Sequence, residues 1–288
     1  MNKNLDTIPT CSIKDADIVI YPIRYDRSSG VGGAQDAPDA IWKMLYYQVE
    51  YFDLETQKEL FLDKKWHYHK GIGKSAGNIK KIINLAKKDI TNLLNKNKFV
   101  VTLGGDHSIS NVPLQVFRKK YKNLSVLHLD AHSDRRESYD NGRFNHACVM
   151  ARAQDAYDSI VSVGIRSVAK EELDKIRKDV IVYADEMINN DKWIDKTIKG
   201  LKNDNVYITI DLDVFDPAIV RDTGTPEPGG IDWKQMTDLI KKVAKEKYIV
   251  GFDIVELTPN KYSQASEMLA AKLCYKTLNY KYYLRIKE

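Results

Sequence analysis

The chain has 288 residues, of which 43% are hydrophobic and 30% charged, a composition that excludes a disordered or fibrous protein. Its net charge of +5 comes from lysines and arginines scattered along the chain, which does not favour nucleic-acid binding. The three widely spaced cysteines exclude a disulfide framework, and no segment approaches the roughly 20 apolar residues of a membrane span. We therefore expect a soluble, cytoplasmic protein without a nucleic-acid or membrane partner, and the length fits one large α/β domain or two smaller ones.

Short apolar or β-branched runs alternate with helix-like stretches along the chain, which is the pattern of βαβ units around a parallel sheet. The predicted strands are 17–21, 49–52, 99–103, 124–129, 160–164, 180–183, 206–210 and 248–255. The predicted helices are 76–95, 170–177, 191–202, 233–246 and 264–280, and the predicted loops are 28–38 and 216–230. In such a fold, ligands bind outside the carboxyl ends of the strands, so functional residues are expected there.

Three predicted strands end in residue types that commonly bind metal ions, in the runs VTLGGDHS, LHLDAHSD and YITIDLDVFDP. These residues are Asp106, His107, Asp130, His132, Asp134, Asp211 and Asp213. Because alternate side chains of an extended chain point the same way, Asp130, His132 and Asp134 can converge on one face. Each fragment alone is more often a helix cap, a loop or a buried histidine. Their combination at three strand ends favours bound cations, since clustered carboxylates otherwise resist ionising together.

The chemistry of these side chains indicates which ion they would bind. Oxygen-rich ligation with one imidazole per ion favours Mn²⁺ over the closed tetrahedral sites of zinc. Two such ions sharing carboxylates would hold a bridging water and generate hydroxide near neutral pH. With four aspartates and the hydroxide, the cluster would carry a charge of about −1, which suits a cationic electrophile.

Four motifs together resemble the ureohydrolases, the arginase and agmatinase family. They are GGDHS at 104–108, DAHSD at 130–134, DLDVFDP followed by TGTPEPGG at 211–230, and DIVELTP at 253–259. The motifs occur in the family's order and spacing. The resemblance implies a single ureohydrolase domain over residues 1–288, with a three-layer αβα architecture around a mostly parallel sheet of about eight strands, as in arginases and deacetylases.

The resemblance also implies roles for individual residues. One Mn²⁺ would be bound by His107, Asp130, Asp134 and Asp211, and the second by His132, Asp130, Asp211 and Asp213. Glu256 matches the acidic residue that binds the substrate guanidinium, and His146 matches the proton-shuttle histidine that also contacts the substrate. Asp134 would hold the proton of the metal-bridging hydroxide as it attacks the guanidinium carbon. Ala147 stands where the family usually has Gly.

Several other polar residues are weaker candidates. His128 shares strand parity with Asp130 and would either orient that ligand or lie in the core. The histidines of WHYHK, His67 and His69, are interpreted as surface or loop groups rather than a third metal site. Cys148 is interpreted as a small buried residue, because a cysteine without an orienting partner is seldom a nucleophile. Asp106 would either hydrogen-bond its own turn or support a ligand, and Asp216 and Thr225 are interpreted as structural residues of their loop.

The substrate is predicted from the segment that follows DAHSD. Segment 135–147 lacks the Asn spacing of arginases, and TGTPEPGG looks more like agmatinases, so agmatine is favoured, giving putrescine and urea. Acidic loop residues could attract the distal ammonium, whereas basic ones would better suit a guanidino acid such as guanidinobutyrate or guanidinopropionate. The acidic residues are Glu137, Asp140 and Asp216, and the basic residues are Arg135, Arg136 and Arg143.

Other functions remain as alternatives to agmatine hydrolysis. An arginase or a guanidino-acid ureohydrolase would use the same metal site. A non-catalytic metal-binding subunit is less favoured, because every ligand position, His146 and Glu256 are present. A metal-dependent deacetylase would need a Tyr or a His pair in place of Glu256. The resemblance further implies a homotrimer or homohexamer whose small-molecule partner is a guanidine.

Overall fold

The computed structural model of the chain describes residues 10–27, 32–188 and 190–285. Over these ranges the strands are β1 (Ile18–Ile23), β2 (Trp66–Tyr68), β3 (Phe99–Gly104), β4 (Leu124–Leu129), β5 (Ile160–Ile165), β6 (Val180–Tyr183), β7 (Asn205–Asp211) and β8 (Tyr248–Val255). The α-helices are α1 (Ala37–Tyr47), α2 (Leu60–Asp63), α3 (Ile79–Asn95), α4 (Asn111–Lys120), α5 (Val149–Gln154), α6 (Leu173–Ile176), α7 (Lys192–Gly200), α8 (Trp233–Glu246) and α9 (Ala265–Tyr283). None of the described helices is long and apolar enough to cross a membrane.

The strands form one sheet in the order β2-β1-β3-β8-β7-β4-β5-β6, and every neighbouring pair is parallel. The four central strands are therefore β3, β8, β7 and β4, and their carboxyl ends lie at one edge. Most strand residues are buried on both faces, which explains why the strands read as nearly continuous apolar runs. The predicted parallel sheet is confirmed.

Helices cover both faces of the sheet and give the predicted three-layer αβα architecture. One face packs against α1, α7, α8 and α9, and the opposite face packs against α3, α4 and α5. Successive residues of a strand alternate between the two cores: Ile18 and Ile20 pack in the first, and Val19 and Tyr21 pack in the second.

Helix boundaries follow from their caps. Asn78 has an extended backbone, and its side chain accepts a hydrogen bond from the amide of Lys81, so α3 begins at Ile79 rather than at the predicted residue 76. Asp232 caps α8 in the same way by accepting from the amide of Gln235, and α8 has the predicted bounds.

Two predictions of secondary structure are wrong. Residues 49–52 form bends and irregular backbone after α1 rather than a strand, and the apolar residue that suggested a strand, Val49, packs in the core. The edge strand is instead β2, in the WHYHK segment interpreted as surface or loop. Its buried Trp66 anchors it beside β1, but three residues are too few for an alternating pattern to stand out.

The two predicted loops differ in outcome. Segment 216–230 is a loop, as predicted. Segment 28–38 includes residues 28–31, which lie outside the described residues, but its later part is helical. A 3₁₀ turn spans Ala34–Asp36, and α1 begins at Ala37 with Pro38 in its first turn, where a missing N–H costs nothing.

Candidate metal centre and active site

The residues of the candidate site follow the four central strands of the sheet. β3 leads to His107, β4 to Asp130, β7 ends at Asp211, and β8 leads to Glu256. Because these strands are parallel neighbours, all four side chains come to one edge of the sheet. The structure thus brings together the separate motifs, which are far apart along the chain.

The imidazole of His107 lies among three carboxylates. Its Nδ1 atom is 3.1 Å from Oδ2 of Asp130, 3.1 Å from Oδ2 of Asp134 and 3.3 Å from Oδ2 of Asp211. All four side chains are buried. One nitrogen with three carboxylate oxygens around it forms a set of donors suited to one cation.

A second group of donors lies beside the first. Nδ1 of His132 is 2.9 Å from Oδ2 of Asp213 and 3.6 Å from Oδ1 of Asp130. Asp130 therefore turns one oxygen towards His107 and the other towards His132, as a bridging carboxylate would. The structure places all six predicted ligands in this double cluster, and their roles as ligands remain predictions.

An unpaired nitrogen within the cluster indicates that these side chains suit bound cations. Nδ1 of His107 is buried and has no hydrogen-bond partner within the described residues, although three carboxylate oxygens surround it. Buried polar atoms are seldom left unpaired, so a buried imidazole nitrogen surrounded by carboxylate oxygens fits the role of a cation ligand. Burial raises the pKa of Asp211 well above its usual range, and burial together with the Asp130 charge raises the pKa of Asp134 to about 6.

Two residues of the site have a strained backbone. Asp134 has a φ of 53° and Glu256 a φ of 65°, in the left-handed region that side chains other than Gly seldom adopt. Main-chain contacts hold both: the carbonyl of Asp134 accepts from the amide of Met150, and the amide of Glu256 donates to the carbonyl of Gly105. Strain of this kind clusters at functional sites, where it aims a side chain that a relaxed backbone would not.

Glu256 lies directly beside the first ligand. Its Oε1 accepts a hydrogen bond of 2.6 Å from the amide of His107, and its side chain is only 6% exposed. Burial raises the pKa of the Glu256 carboxyl well above its usual range. A cation placed against this carboxylate would therefore stabilise its ionised form.

His146 begins a 3₁₀ turn, His146–Cys148, that is capped by Asn145. Its ring packs edge-on against Tyr139, with centroids 5.5 Å apart. Its Nδ1 is buried and has no hydrogen-bond partner in the described part of the chain, and burial lowers its pKa. No hydrogen bond within the described residues therefore holds this nitrogen of the ring, and the residue lines the cavity described next.

One cavity of about 180 Å³ joins these groups. It is lined by His107, His132, Asp134, Asp211, His146 and Glu256, and its remaining walls are Ser133, Arg136, Tyr139, Ala147, Ser167, Val168, Ala169, Glu172 and Thr225. The cavity is smaller than pockets for drug-sized ligands, so it suits the end of a slender molecule.

His128 is buried and contacts the predicted ligand Asp130. Of the two roles suggested by the sequence, this contact favours orientation of the ligand. Its Nε2 is 2.7 Å from Oδ2 of Asp130, and its Nδ1 is 2.9 Å from Oγ of Ser162. Its nitrogen lies close enough to the first cluster to serve as a metal ligand. Because both ring nitrogens already have hydrogen-bond partners, we interpret His128 as support for Asp130.

Cys148 is buried as predicted, whereas His67 belongs to strand β2 rather than to a surface loop. Cys148 is buried, and burial raises the pKa of its thiol to about 11, which does not favour a nucleophile. His67 lies on β2 with Nδ1 2.8 Å from the carbonyl of Cys11, and His69 stacks on Tyr21. Neither histidine lines the cavity.

Asp106 and Asp216 support loops, as predicted. The carboxylate of Asp106 accepts hydrogen bonds from the amides of Ser108 and Arg27. That of Asp216 accepts from the amides of Ala218 and Gly229 across the loop it begins. Asp216 is therefore occupied within its own loop and is not a site for a substrate ammonium.

The basic residues after DAHSD have three different environments. Arg135 is fully buried and donates to Asp179 at 2.7 Å, so the suggestion that it binds a carboxylate tail is wrong. Arg143 is exposed, pairs with Glu137 and does not line the cavity. Of the three, Arg136 lines the cavity.

Three further residues of the site were not identified, or not fully understood, from the sequence. Tyr139 and Glu172 line the cavity, and Glu172 is buried and accepts from the amide of Arg135 at 2.6 Å. Thr225, interpreted as structural, also donates to Oδ2 of Asp213 at 3.3 Å. The first two lie outside the motifs, and the sequence carries no signal for them beyond their proximity to DAHSD and to a predicted helix.

An eight-stranded parallel sheet with a His/Asp cluster and a buried glutamate at its carboxyl edge defines the class of metal-dependent hydrolases. The family model described as "Arginase family" matches residues 16–279, and the chain belongs to this family. Members of the family that are ureohydrolases or agmatinases act on guanidino groups, so the protein is a hydrolase of that kind.

Relatives and solved structures agree with this assignment. The chain is 31% identical to the N(1)-aminopropylagmatine ureohydrolase of Synechocystis sp. over 96% of its own length and 92% of that protein. It is also 31% identical to the agmatinase of Pyrococcus horikoshii, with 93% of each chain covered. The agmatine ureohydrolase of Thermoplasma volcanium superposes with a TM-score of 0.87 at 30% identity, covering 98% of this chain and 96% of that one.

Proposed function

We propose that the protein hydrolyses agmatine to putrescine and urea. The observation that carries this proposal is the single cavity that joins both ligand clusters, Glu256 and His146. A guanidinium that enters this cavity would meet the buried carboxylate of Glu256, the imidazole of His146 and a metal site rich in aspartates. These are the groups that hydrolysis of a planar cation requires.

The residues fit two Mn²⁺ ions, which we propose as the cofactor. His107, Asp130, Asp134 and Asp211 would hold one ion. Asp130, His132 and Asp213 lie together and would hold the other, with Asp211 as a further ligand that the family resemblance implies. When bound, the pair would supply a hydroxide nucleophile at neutral pH and neutralise the clustered aspartates. One imidazole and several carboxylates for each ion are typical of hard, octahedral cations.

Glu256 would bind and orient the guanidinium. Its carboxylate can accept two N–H groups of the planar cation, which fixes both the distance and the plane of the central carbon. The amide of His107 holds one carboxylate oxygen in place, so the carboxylate is preorganised before substrate binds. Asp134 would accept a hydrogen bond from the attacking oxygen and keep its lone pair directed at that carbon.

His146 would deliver the proton that the leaving amine needs. Its unpaired Nδ1 faces no acceptor in the protein, and imidazole exchanges protons readily near neutral pH. Its edge-on contact with Tyr139 limits rotation of the ring. The residue that follows, Ala147, also lines the cavity and narrows it relative to a glycine.

The cavity wall supports an amine tail over a carboxylate tail. Arg135 is committed to Asp179, and Arg136 pairs with Glu171 at 3.1 Å while its guanidinium lies over the ring of Tyr139. Glu171 thus compensates part of the charge of Arg136, which weakens its attraction for a guanidino acid without removing it.

The names of the relatives favour a second substrate of the same class. Three relatives at 31–33% identity are named N(1)-aminopropylagmatine ureohydrolases. This derivative carries the same guanidinium on a longer polyamine, whose tail would extend from the small cavity into solvent. We therefore retain it as the second candidate.

The test is urea release by the Mn²⁺-loaded protein beside a metal-stripped control. The substrates are agmatine, N1-aminopropylagmatine, arginine, guanidinobutyrate and guanidinopropionate. We expect metal-dependent turnover, and we expect agmatine to have the highest kcat/KM of the five substrates. Preference for the aminopropyl derivative would select the second candidate, and preference for arginine or an acid would overturn the proposed substrate class. Metal-loaded protein that is inactive on all five would favour a non-catalytic subunit.

We further propose that the protein forms a homotrimer or homohexamer. The proposal comes from the membership of the family. Light scattering coupled to size-exclusion chromatography tests it, and a monomer at micromolar concentration would contradict it.

A further inference from the structure

One register of the sheet carries a polar side chain on each of six neighbouring strands. These residues pair with one another from β1 to β5 and form what we call the polar row: Tyr21, Thr102, Asp253, Thr209, His128 and Ser162. Each is at most 1% exposed. They lie on the face of the sheet that packs against α3, α4 and α5.

A polar row of this kind is unusual in a parallel sheet. Strands of such sheets are normally apolar on both faces because helices cover them. Burying a hydroxyl, an imidazole or a carboxylate costs free energy unless hydrogen bonds compensate for the lost water. Packing alone therefore does not explain the polar row. Its hydrogen bonds reach two predicted metal ligands, His107 and Asp130.

The first branch of hydrogen bonds ends on His107. Oγ1 of Thr209 donates to Oδ1 of Asp253 at 2.7 Å, and the hydroxyl of Tyr207 donates to Oδ2 of the same carboxylate at 2.8 Å. Nε2 of His107 lies 2.9 Å from Oγ1 of Thr209. Because a threonine hydroxyl has one hydrogen and Asp253 takes it, Nε2 of His107 must be the donor. The proton of the neutral ring is then on Nε2, and the lone pair is on Nδ1.

The second branch ends on Asp130. Nη2 of Arg135 donates to Oγ of Ser162 at 2.8 Å, and this hydroxyl lies 2.9 Å from Nδ1 of His128. Arginine can only donate, so the hydrogen of Ser162 remains available for Nδ1 of His128. Nε2 of His128 then donates to Oδ2 of Asp130 at 2.7 Å. That oxygen is the one that faces His107.

Resting on the metal centre proposed above, we propose that two members of the polar row, Thr209 and His128, position the first metal site by fixing the Nδ1 lone pair of His107 and the Oδ2 orientation of Asp130. Thr209 and His128 are the positioning residues that connect the row to the ligands. Groups of this kind typically change metal affinity by about 10- to 100-fold when they are removed.

The experiment measures Mn²⁺ binding by competition with a chelating dye in Thr209→Val, which keeps the shape of the side chain and removes its hydroxyl. We expect Mn²⁺ affinity to fall at least about 10-fold. Thr209→Ser restores the hydroxyl and should bind Mn²⁺ within about 3-fold of wild type. Thr102→Val is the matched control, because Thr102 is in the same row and equally buried but has no hydrogen bond to a predicted ligand in the described residues.

The melting temperatures of the metal-free wild type and variants show whether a loss of Mn²⁺ affinity comes from ligand positioning or from a less stable fold. If Thr209→Val binds Mn²⁺ as tightly as wild type, or if Thr102→Val loses as much affinity, the proposal is overturned. Should Thr209→Val fail to fold, Asp253→Asn replaces it, because an amide offers a single acceptor oxygen to the donors around Asp253. That variant should also weaken Mn²⁺ binding, and unchanged affinity would overturn the proposal. Wild type that binds no Mn²⁺ would instead refute the metal centre itself.

Discussion

The amide of His107 donates a 2.6 Å hydrogen bond to Oε1 of Glu256, so the predicted metal ligand and the predicted guanidinium-binding residue are joined directly. β3 and β8 are neighbours in the sheet, and their carboxyl ends supply these two residues. In the proposed mechanism, the spacing between nucleophile and substrate would therefore be set by two adjacent parallel strands. Such support on rigid elements is what precise positioning requires.

Glu256→Gln should lower kcat/KM for agmatine by about 100-fold and leave Mn²⁺ content unchanged. The glutamine oxygen can still accept from the amide of His107, so the local structure persists, but the charge that pairs with the guanidinium is lost. Steady-state urea release and metal analysis of the same preparation measure both effects. Loss of metal together with activity would show that the residue acts on the ligands instead.

His146→Asn should lower kcat by about 100-fold or more with a smaller change in KM, because proton delivery to the leaving amine acts in the transition state. His67→Asn is the matched control, since His67 is partly buried but lies on β2 away from the cavity. Initial rates over a range of agmatine concentrations separate kcat from KM. Equal losses in the two variants would point to general destabilisation.

The candidate site could be predicted because its residues lie in short contiguous motifs. Asp130, His132 and Asp134 follow one strand at alternate positions, and Asp211 and Asp213 follow another, so sequence spacing already implied a shared face. A parallel sheet then requires these strand ends to meet. The motifs did not indicate the left-handed backbone of Asp134 and Glu256, which depends on main-chain contacts with distant segments.

The polar row could not be predicted in the same way. Thr209 and Asp253 are each a single polar residue within an apolar run, and only the register of β7 against β8 sets them side by side. The sequence does show that His128 shares parity with Asp130, and this signal was sufficient to suggest the contact. The edge strand β2 and the helices α1, α2, α4 and α5 were not predicted, because short segments carry little periodicity and depend on tertiary packing.

Arg136→Gln should shift substrate preference towards amines. Removing a cation from the cavity wall lessens repulsion of the distal ammonium, so KM for agmatine should fall by about 3-fold, and KM for guanidinobutyrate should rise by a similar factor. Arg143→Gln is the control, because Arg143 belongs to the same loop but is exposed and does not line the cavity. A change of both KM values in one direction would contradict a role in charge selection.

Asp213→Ala should reduce bound Mn²⁺ from two ions to at most one per chain and abolish most urea release. Oδ2 of Asp213 is the carboxylate oxygen nearest Nδ1 of His132, so its loss removes a donor from the second cluster. Asp155→Ala, which removes an exposed carboxylate paired with Arg152, is the control. Metal analysis by mass spectrometry gives the stoichiometry, and full metal content with full turnover would rule out a binuclear site.

The ion pair between Lys276 and Asp53 should make stability depend on acid pH. Nζ of Lys276 is 2.9 Å from Oδ2 of Asp53, and both side chains are buried. Burial alone would raise the pKa of Asp53, but the hydrogen bonds from Lys276 and Thr56 outweigh it and lower the pKa. The stabilisation is therefore present above the unfolded pKa, near 4, and is lost as the pH falls through the lower folded pKa.

Lys276→Met tests this linkage by urea unfolding at pH 7 and pH 3. At pH 7 the variant should lose about 3 kcal/mol, because it leaves a buried carboxylate without its cation. The difference from wild type should shrink at pH 3, below the unfolded pKa of Asp53, because burial favours protonation of the Asp53 carboxyl once its cation is removed. Lys241→Met, which removes an exposed partner of Glu55, should cost less than about 1 kcal/mol at either pH. A Lys276→Met deficit that is the same at both pH values would show that lost packing, rather than the charge of Asp53, accounts for the destabilisation.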